Sequence, residues 1–320
     1  MMKPETKGMK IFAGNAGRDL ASGVAKALGL ELGKTEVSSF SDGETSISIL
    51  ETVRGYDVFL VQSTCEPVND RLMELLIMID ACKRASARHI TAVVPYFGYA
   101  RQDRKAKPRD PISAKLVADL LTSAGANRVM SMDLHALQIQ GFFNIPVDHL
   151  LGAPVFLDYY KKRFEGKMQD LVIVSPDVGS VSRVRKFAKH LETPIAIVDK
   201  RRQKANMCEV MSIIGNVEGK NVLIVDDMVD TGGTLCKSAE AIRNIGGAKD
   251  VFACATHGVL SGQSVDAIEK SVISEMMFLD TIPIPSEKRG SKIKVLSAVS
   301  LFTDVMHRVF LNEPVSQLFV

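Results

Sequence analysis

Apolar positions along this chain fall in two alternating rhythms: short runs of continuous hydrophobic residues, and longer stretches where they recur every three or four positions. The runs MKIFA, YDVFLVQS, HITAVVP and RVMSMD read as strands, and the segments Arg18 to Leu28, Asn69 to Arg84 and Ser113 to Ser123 between them read as helices. In the second of these helices Leu72, Leu75, Leu76 and Ile79 stand at i, i+3, i+4 and i+7, one stripe facing a sheet. A similar series then restarts: DLVIVSPD, a helix from Val184 to Leu191, PIAIVD, NVLIVDD, a helix from Thr234 to Ile245, and DVFACATH. Strand, helix, strand in strict alternation predicts α/β architecture with mostly parallel sheets flanked by helices. The restart predicts two similar domains, over residues 1–155 and 156–307. The closing SLFTDVMHRVFLNEPVSQLFV reads as a helix followed by a tail, with the tail from about 308 to 320 returning to the first domain.

A length of 320 residues agrees with two domains, because single cores stop growing beyond roughly 250–300 residues. Hydrophobic residues make up 46% and charged residues 24%, values of an ordinary globular enzyme rather than a disordered or fibrous chain. No apolar run approaches the roughly 18 residues of a membrane span. The opening MMKPETKGMK has no hydrophobic signal core, so the expected location is the cytoplasm. Cys65, Cys82, Cys208, Cys236 and Cys254 are widely spaced with no CxxC pair, which predicts buried free thiols rather than disulfides or a zinc site. A net charge of +3 is too small to predict a nucleic-acid partner.

The densest chemistry lies in VLIVDDMVDTGGTL, residues 222–235. VLIV has the continuity of a central parallel strand, and TLCKSAEAIRNIGG has helical spacing ending in glycine, so DDMVDTGG reads as a strand-to-helix turn. In open α/β sheets that end of the strands holds ligands. Gly232 and Gly233 let amide N–H groups turn inward, and Thr231 and Thr234 add hydroxyl donors where a helix dipole favours an anion. A sugar phosphate resolves the conflict with Asp226, Asp227 and Asp230: phosphate on the loop, hydroxyls on the carboxylates. Such residues also gather in ordinary turns and caps; the position between strand and helix is what makes the pattern specific. GLELGKT at 29–35 is one residue short of a P-loop and follows a helix, so it is set aside.

The stretch VLIVDDMVDTGGTL resembles the phosphoribosyl-diphosphate loop of the type I phosphoribosyltransferase fold. Together with FSDGE (40–44), YFGYARQDRK (96–105), DLHALQIQGFFNIPVD (133–148), VSPDVG (174–179), DKRR (199–202) and THGVLSG (256–262), it is similar to the ribose-phosphate diphosphokinase family over nearly the whole chain. That resemblance implies two phosphoribosyltransferase-like domains, the first binding ATP and the second ribose 5-phosphate. It implies transfer of the diphosphoryl group of Mg-ATP to the C1 hydroxyl of ribose 5-phosphate, giving 5-phosphoribosyl 1-diphosphate and AMP. A homo-oligomer, a hexamer or other multiple of dimers with the ATP site near a subunit interface, and regulation by ADP and phosphate belong to the same implication.

Each motif has a physical reading beside the resemblance. Asp133 and His135 stand two apart at a strand end, which in extended backbone projects both to one side and suits a metal; a helix cap beside a surface histidine is the plainer alternative. The resemblance implies Mg²⁺ held near Asp133, with Asp148 and Asp177 as further ligands, Asp177 also contacting ribose 5-phosphate, and His135 contacting Mg-ATP. Asn144 stands where the family commonly has an aspartate, and Ser180 where it often has glycine. Arg101 and Gln102, within a basic run after HITAVVP, match ATP contacts, the arginine fork suiting phosphate and the amide suiting base or ribose. In FSDGE, Phe40 offers an aromatic face for adenine and Asp42 and Glu44 offer acceptors, although DG also marks an acidic hairpin turn. DKRR ends the strand PIAIVD and opens a polar loop, and Lys200 and Arg202 match the family's catalytic pair, with His135 as a third catalytic residue. Cations on a closing loop can neutralise charge that develops only in the transition state.

Two rivals share part of this pattern. A transferase that consumes phosphoribosyl diphosphate would keep the 226–234 loop without needing FSDGE, ARQ and DLH. A non-catalytic binding subunit would keep the fold and lose reactive residues, whereas Lys200, Arg202, His135 and all three loop aspartates are present.

Overall fold

The computed structural model describes residues 6–201 and 210–316, without the side chains of residues 200, 201, 210 and 211. The chain divides into two compact α/β units. The first runs through Leu151 and also takes in Thr281–Pro283 and the chain from Ala298 onward. Its elements are β1 (Met9–Ala13), α1 (Arg18–Ala27), β2 (Thr35–Ser39), β3 (Thr45–Ile49), β4 (Asp57–Val61), α2 (Val68–Arg84), β5 (His89–Val94), α3 (Ser113–Ala124), β6 (Arg128–Met132) and β7 (Val147–Leu150). Strands β1, β4, β5, β6 and β7 form one all-parallel sheet in that order, so successive crossovers step in a single direction. Strands β2 and β3 form a separate antiparallel hairpin with FSDGE at its tip.

Burial follows the two periods. Val58 and Leu60 of β4 enter a core with Ile90, Ala92 and Val94 of β5 and with Leu72, Leu75, Met78 and Ile79 of α2. The helical stripe read in the sequence holds at Leu72, Leu75 and Ile79, while Leu76 is only partly buried against the same cluster. Each fully buried side chain of this kind contributes about 1.5–3 kcal/mol of transfer free energy.

The second unit spans Gly152–Asp280 with Ile284–Ser297. It contains α4 (Ala153–Arg163), β8 (Leu171–Ser175), α5 (Val181–Leu191), β9 (Ile195–Arg201), β10 (Val210–Ile214), β11 (Asn221–Val229), α6 (Gly233–Asn244), β12 (Asp250–Gly258), α7 (Ser264–Lys270), β13 (Ile273–Leu279) and β14 (Ile293–Leu296). The sheet order is β10-β9-β8-β11-β12-β13-β14, parallel except for the edge strand β10. From β8 the chain first moves one way to β9 and later the other way through β11 to β14, which creates a topological switch point between β8 and β11. The first sheet has no such reversal.

Helix α8 (Val299–Phe310) belongs to the first unit and packs on α1 so closely that a Cβ at Gly23 would come 2.7 Å from a Val299 methyl. After the brief return at Thr281–Pro283, the chain rejoins the first unit from Ala298, so the tail expected from about 308 is preceded by a whole helix of that unit. Among the described residues no helix is long and apolar enough to cross a membrane. Cys65, Cys82, Cys236 and Cys254 are buried free thiols, while Cys208 lies outside the described residues.

Candidate active site

Strand β11 is longer than the apolar run that announces it. Its pairing with β8 stops at Ile224 opposite Val174, but its pairing with β12 continues through Val229 opposite Gly258. Asp226 and Asp227 are therefore strand residues beyond the end of β8, and only Asp230 to Gly232 form the turn into α6. The expectation that the whole of DDMVDTGG is a turn fails because β12 extends the ladder under polar residues. Where β8 ends and β11 continues lies the switch point, the place where open α/β sheets form a ligand crevice.

Asp177, Ser180, Asp226, Asp227 and Arg183 come together there. Asp177, just past β8, accepts the Ser180 backbone N–H at 2.9 Å, and its own carbonyl accepts the Ser175 hydroxyl at 2.7 Å. The Ser180 hydroxyl donates to Asp226 at 3.0 Å, and the same Asp226 oxygen accepts the Asp227 N–H at 2.9 Å. Asp227 is buried and pairs with Arg183 of α5 at 3.4 Å. Burial, reinforced by the negative charges of Asp227 and Asp177, pushes the Asp226 carboxyl up to about 7. Carboxylates that repel one another in a crevice favour a cation or hydroxyl donors as ligands.

The turn supplies the opposite character. Gly232 has φ 75°, a left-handed conformation that glycine adopts without strain, and its carbonyl accepts the Cys236 N–H to start α6. The first amides of a helix have no intrahelical acceptor, so the N–H groups from Gly233 onward face whatever binds at the turn. Thr231, Gly233 and Thr234 are exposed. The loop after β12 braces this turn: Leu260 donates its N–H to Val229 and Ser261 donates to Asp230. Residues of THGVLSG thus support the loop from below.

In the first unit the candidate residues also lie at the C-terminal ends of parallel strands or on the hairpin. Phe40 is 59% exposed, and Asp42 accepts the Glu44 N–H at 3.2 Å across a turn in which Gly43 has φ 94°. The hairpin is real, and it leaves the aromatic face open. Arg101 and Gln102 are exposed after β5, and the Gln102 carbonyl accepts the first amide contact of α3 from Ala114 at 3.2 Å. Asp133, at the end of β6, is 7% exposed with φ 38°, and its N–H donates to Leu150 at 2.9 Å. His135 is exposed. The left-handed turn at Asp133 ends the extended backbone, so the alternation that would put Asp133 and His135 on one side does not apply.

Asp148 has an ion-pair partner in the structure. It lies within β7 opposite Met130, about 10 Å of strand before Asp133, and Arg128 Nη1 contacts its two oxygens at 2.8 and 3.0 Å. That arginine offsets its charge, and the strand spacing separates it from Asp133. Among the described residues no three His, Cys, Asp or Glu side chains gather closely enough to hold a metal by themselves. Strand β9 continues to Arg201, two residues beyond the expected end at Asp199, because β10 pairs back on it. Arg202 and the Lys200 side chain lie outside the described residues. Sequence reasoning missed Arg183 and the Ser180 contact; neither residue type carried a signal, since the partner aspartates are more than forty positions away.

A family model described as the N-terminal domain of ribose phosphate pyrophosphokinase matches residues 9–125, and one described as a phosphoribosyl synthetase-associated domain matches residues 201–320. A ribose-phosphate pyrophosphokinase of Clostridium perfringens is 58% identical over 318 residues, covering 99% of each chain. The corresponding protein of Caldanaerobacter subterraneus is 58% identical over 314 residues, covering 98% of each. The crystal structure of phosphoribosylpyrophosphate synthetase from Mycobacterium smegmatis matches with a TM-score of 0.90 at 42% identity, covering 95% of this chain and 99% of that one. With both units, the switch-point crevice and the full length accounted for, the chain belongs to the ribose-phosphate pyrophosphokinase family.

Proposed function

We propose that this protein transfers the β,γ-diphosphoryl group of ATP to the C1 hydroxyl of ribose 5-phosphate, releasing AMP. The single observation that carries this reading is the joining, at one switch point, of an acidic crevice to a glycine turn that opens a helix. The amides and hydroxyls of Thr231, Gly232, Gly233 and Thr234 would hold the 5-phosphate. Asp226 and Asp227, with Asp177 and Asp230 beside them, would accept the sugar hydroxyls and orient C1.

ATP would bind in the first unit, its adenine against Phe40, its phosphates at Arg101, with Gln102, His135, Asp42 and Glu44 completing the contacts. In the reaction the C1 oxygen bonds to the β-phosphorus, the bond from that phosphorus to the oxygen on the α-phosphorus breaks with that oxygen leaving on AMP, and the hydroxyl proton passes to solvent water. Such a transfer asks for in-line positioning and charge neutralisation, not a protein nucleophile. Lys200, Arg202 and His135 would supply positive charge to the transferring group.

The donor chemistry fits a divalent cation. Asp177 and Asp133 offer the carboxylate oxygens that Mg²⁺ prefers. When bound, Mg²⁺ would neutralise phosphate charge. Few protein ligands are needed, because the ion keeps waters and substrate oxygens in its shell. A cytoplasmic location, a hexamer or other multiple of dimers, and control by ADP and phosphate complete the proposal.

Purified protein incubated with Mg-ATP and ribose 5-phosphate should release AMP in equal amount to the phosphoribosyl diphosphate formed. Consumption of phosphoribosyl diphosphate with a free base, and no AMP, would instead indicate a phosphoribosyltransferase.

A further inference from the structure

The segment that carries Arg101 and Gln102 is not a free loop. Thr64, 2% exposed just past β4, grips the first part of it from below. Its hydroxyl accepts the Gly98 N–H at 2.6 Å and donates to the Tyr96 carbonyl at 3.1 Å, and its own N–H donates to that same carbonyl at 3.0 Å. The neighbouring Ser63 hydroxyl accepts the Tyr96 N–H at 3.2 Å. The fit admits no side chain at residue 98, since a Cβ there would lie 2.4 Å from the Thr64 carbonyl oxygen.

Immediately after this anchor the backbone does something costly. Tyr99 has φ 65°, a left-handed conformation that an aromatic residue rarely adopts. Its hydroxyl donates to the Asn69 side chain in α2, and its carbonyl accepts the Gln102 N–H at 3.1 Å, closing a turn around Ala100 and Arg101. Phe97 is pinned as well, edge-on to Phe143 with ring centroids 5.9 Å apart. Strained backbone persists where the surroundings over-determine it, and such positions cluster at ligand sites.

We infer that Thr64 is a positioning residue for the nucleotide subsite: its hydroxyl, with the Tyr99–Asn69 clasp, holds the 96–102 segment in the strained turn that aims Arg101 and Gln102 at ATP. This rests on the assignment of ATP to those two residues. Thr64 itself touches no substrate. Its effect passes through the Gly98 amide and the Tyr96 carbonyl, both lying before the turn.

The test is steady-state kinetics on the full-length protein with each substrate varied in turn. Thr64→Val keeps shape and β-branching but strands the buried Gly98 N–H. It should raise the KM for ATP roughly tenfold, the scale set by one unmet buried hydrogen bond, and leave the KM for ribose 5-phosphate within about twofold. Thr64→Ser, which restores the hydroxyl, should return the ATP KM to the wild-type value; a purely packing role would not be rescued by removing a methyl group. Should Thr64→Val not fold, Tyr99→Phe carries the test from the exposed side and should raise the ATP KM alone, by a smaller factor. An unchanged ATP KM in the folded variants, or an equal rise for both substrates, overturns the inference. Wild-type protein assayed in parallel separates the outcomes: if it forms no phosphoribosyl diphosphate, the assignment of function fails, whereas active wild type with an unaltered variant sinks only the role of Thr64.

Discussion

Ser180 donates its hydroxyl to Asp226 at 3.0 Å, joining the start of α5 to the part of β11 that runs beyond β8, across the switch point. Its backbone N–H also holds Asp177, so one residue organises two of the three interacting carboxylates. A glycine there could supply only the N–H. The serine therefore adds a hydrogen bond to an acid whose ionisation burial opposes.

That acid gives a pH-dependent prediction. The Asp226 carboxyl is raised from 3.8 to about 7 in the folded protein, so between those values the folded state binds a proton that the unfolded chain has released. Stability falls as pH rises through this window, and the cost is fully present above about 7. Asp226→Asn removes the buried charge. Its Tm at pH 8 should exceed wild type by roughly 2–5 °C, with the gap shrinking at pH 5.5, while ribose 5-phosphate affinity drops. Parallel melting curves at the two pH values check this, and a gap that widens on acidification contradicts it.

Asp227 lies next to it in the strand and pairs with Arg183. Asp227→Ala should raise the KM for ribose 5-phosphate by about tenfold or more, since a charge-assisted hydrogen bond contributes about 1.5–3 kcal/mol, and leave the ATP KM within about twofold. Calorimetric titration of each substrate separately is the measurement; equal losses for both would place Asp227 in the structure rather than in sugar recognition.

Lys200 is assigned to the transition state. Lys200→Ala should lower kcat by about 10²–10³-fold, the scale of a lost preorganised electrostatic contact, with little change in either KM. Initial rates at saturating substrate decide it. A KM effect as large as the kcat effect would reassign Lys200 to ground-state binding.

Asp148 provides a contrast, because its carboxylate is already neutralised by Arg128. Asp148→Asn should destabilise the protein by about 1–3 kcal/mol through the weakened, partly buried pair, and leave the Mg²⁺ concentration for half-maximal activity unchanged. Denaturant unfolding together with a Mg²⁺ titration tests both halves; a shifted metal requirement would return Asp148 to the cation site.

By itself the sequence determined the parts whose physics is local. Hydrophobic period distinguished β4 and β5 from α2, the glycine pair after a strand marked the turn into α6, and the quoted motifs identified the family. It also marked the closing SLFTDVMHRVF as a helix, found as α8. What only the tertiary structure decided depends on which strands lie side by side. Pairing with β12 drew Asp226 and Asp227 into a strand, the reversal between β8 and β11 opened the crevice beside them, and Arg128 captured Asp148 from a neighbouring strand. The helical or strand period of a segment is written in its own residues, whereas register, strand order and ion pairing are properties of two segments at once. A linear reading of either segment alone contains neither the neighbour nor the place where its ladder stops.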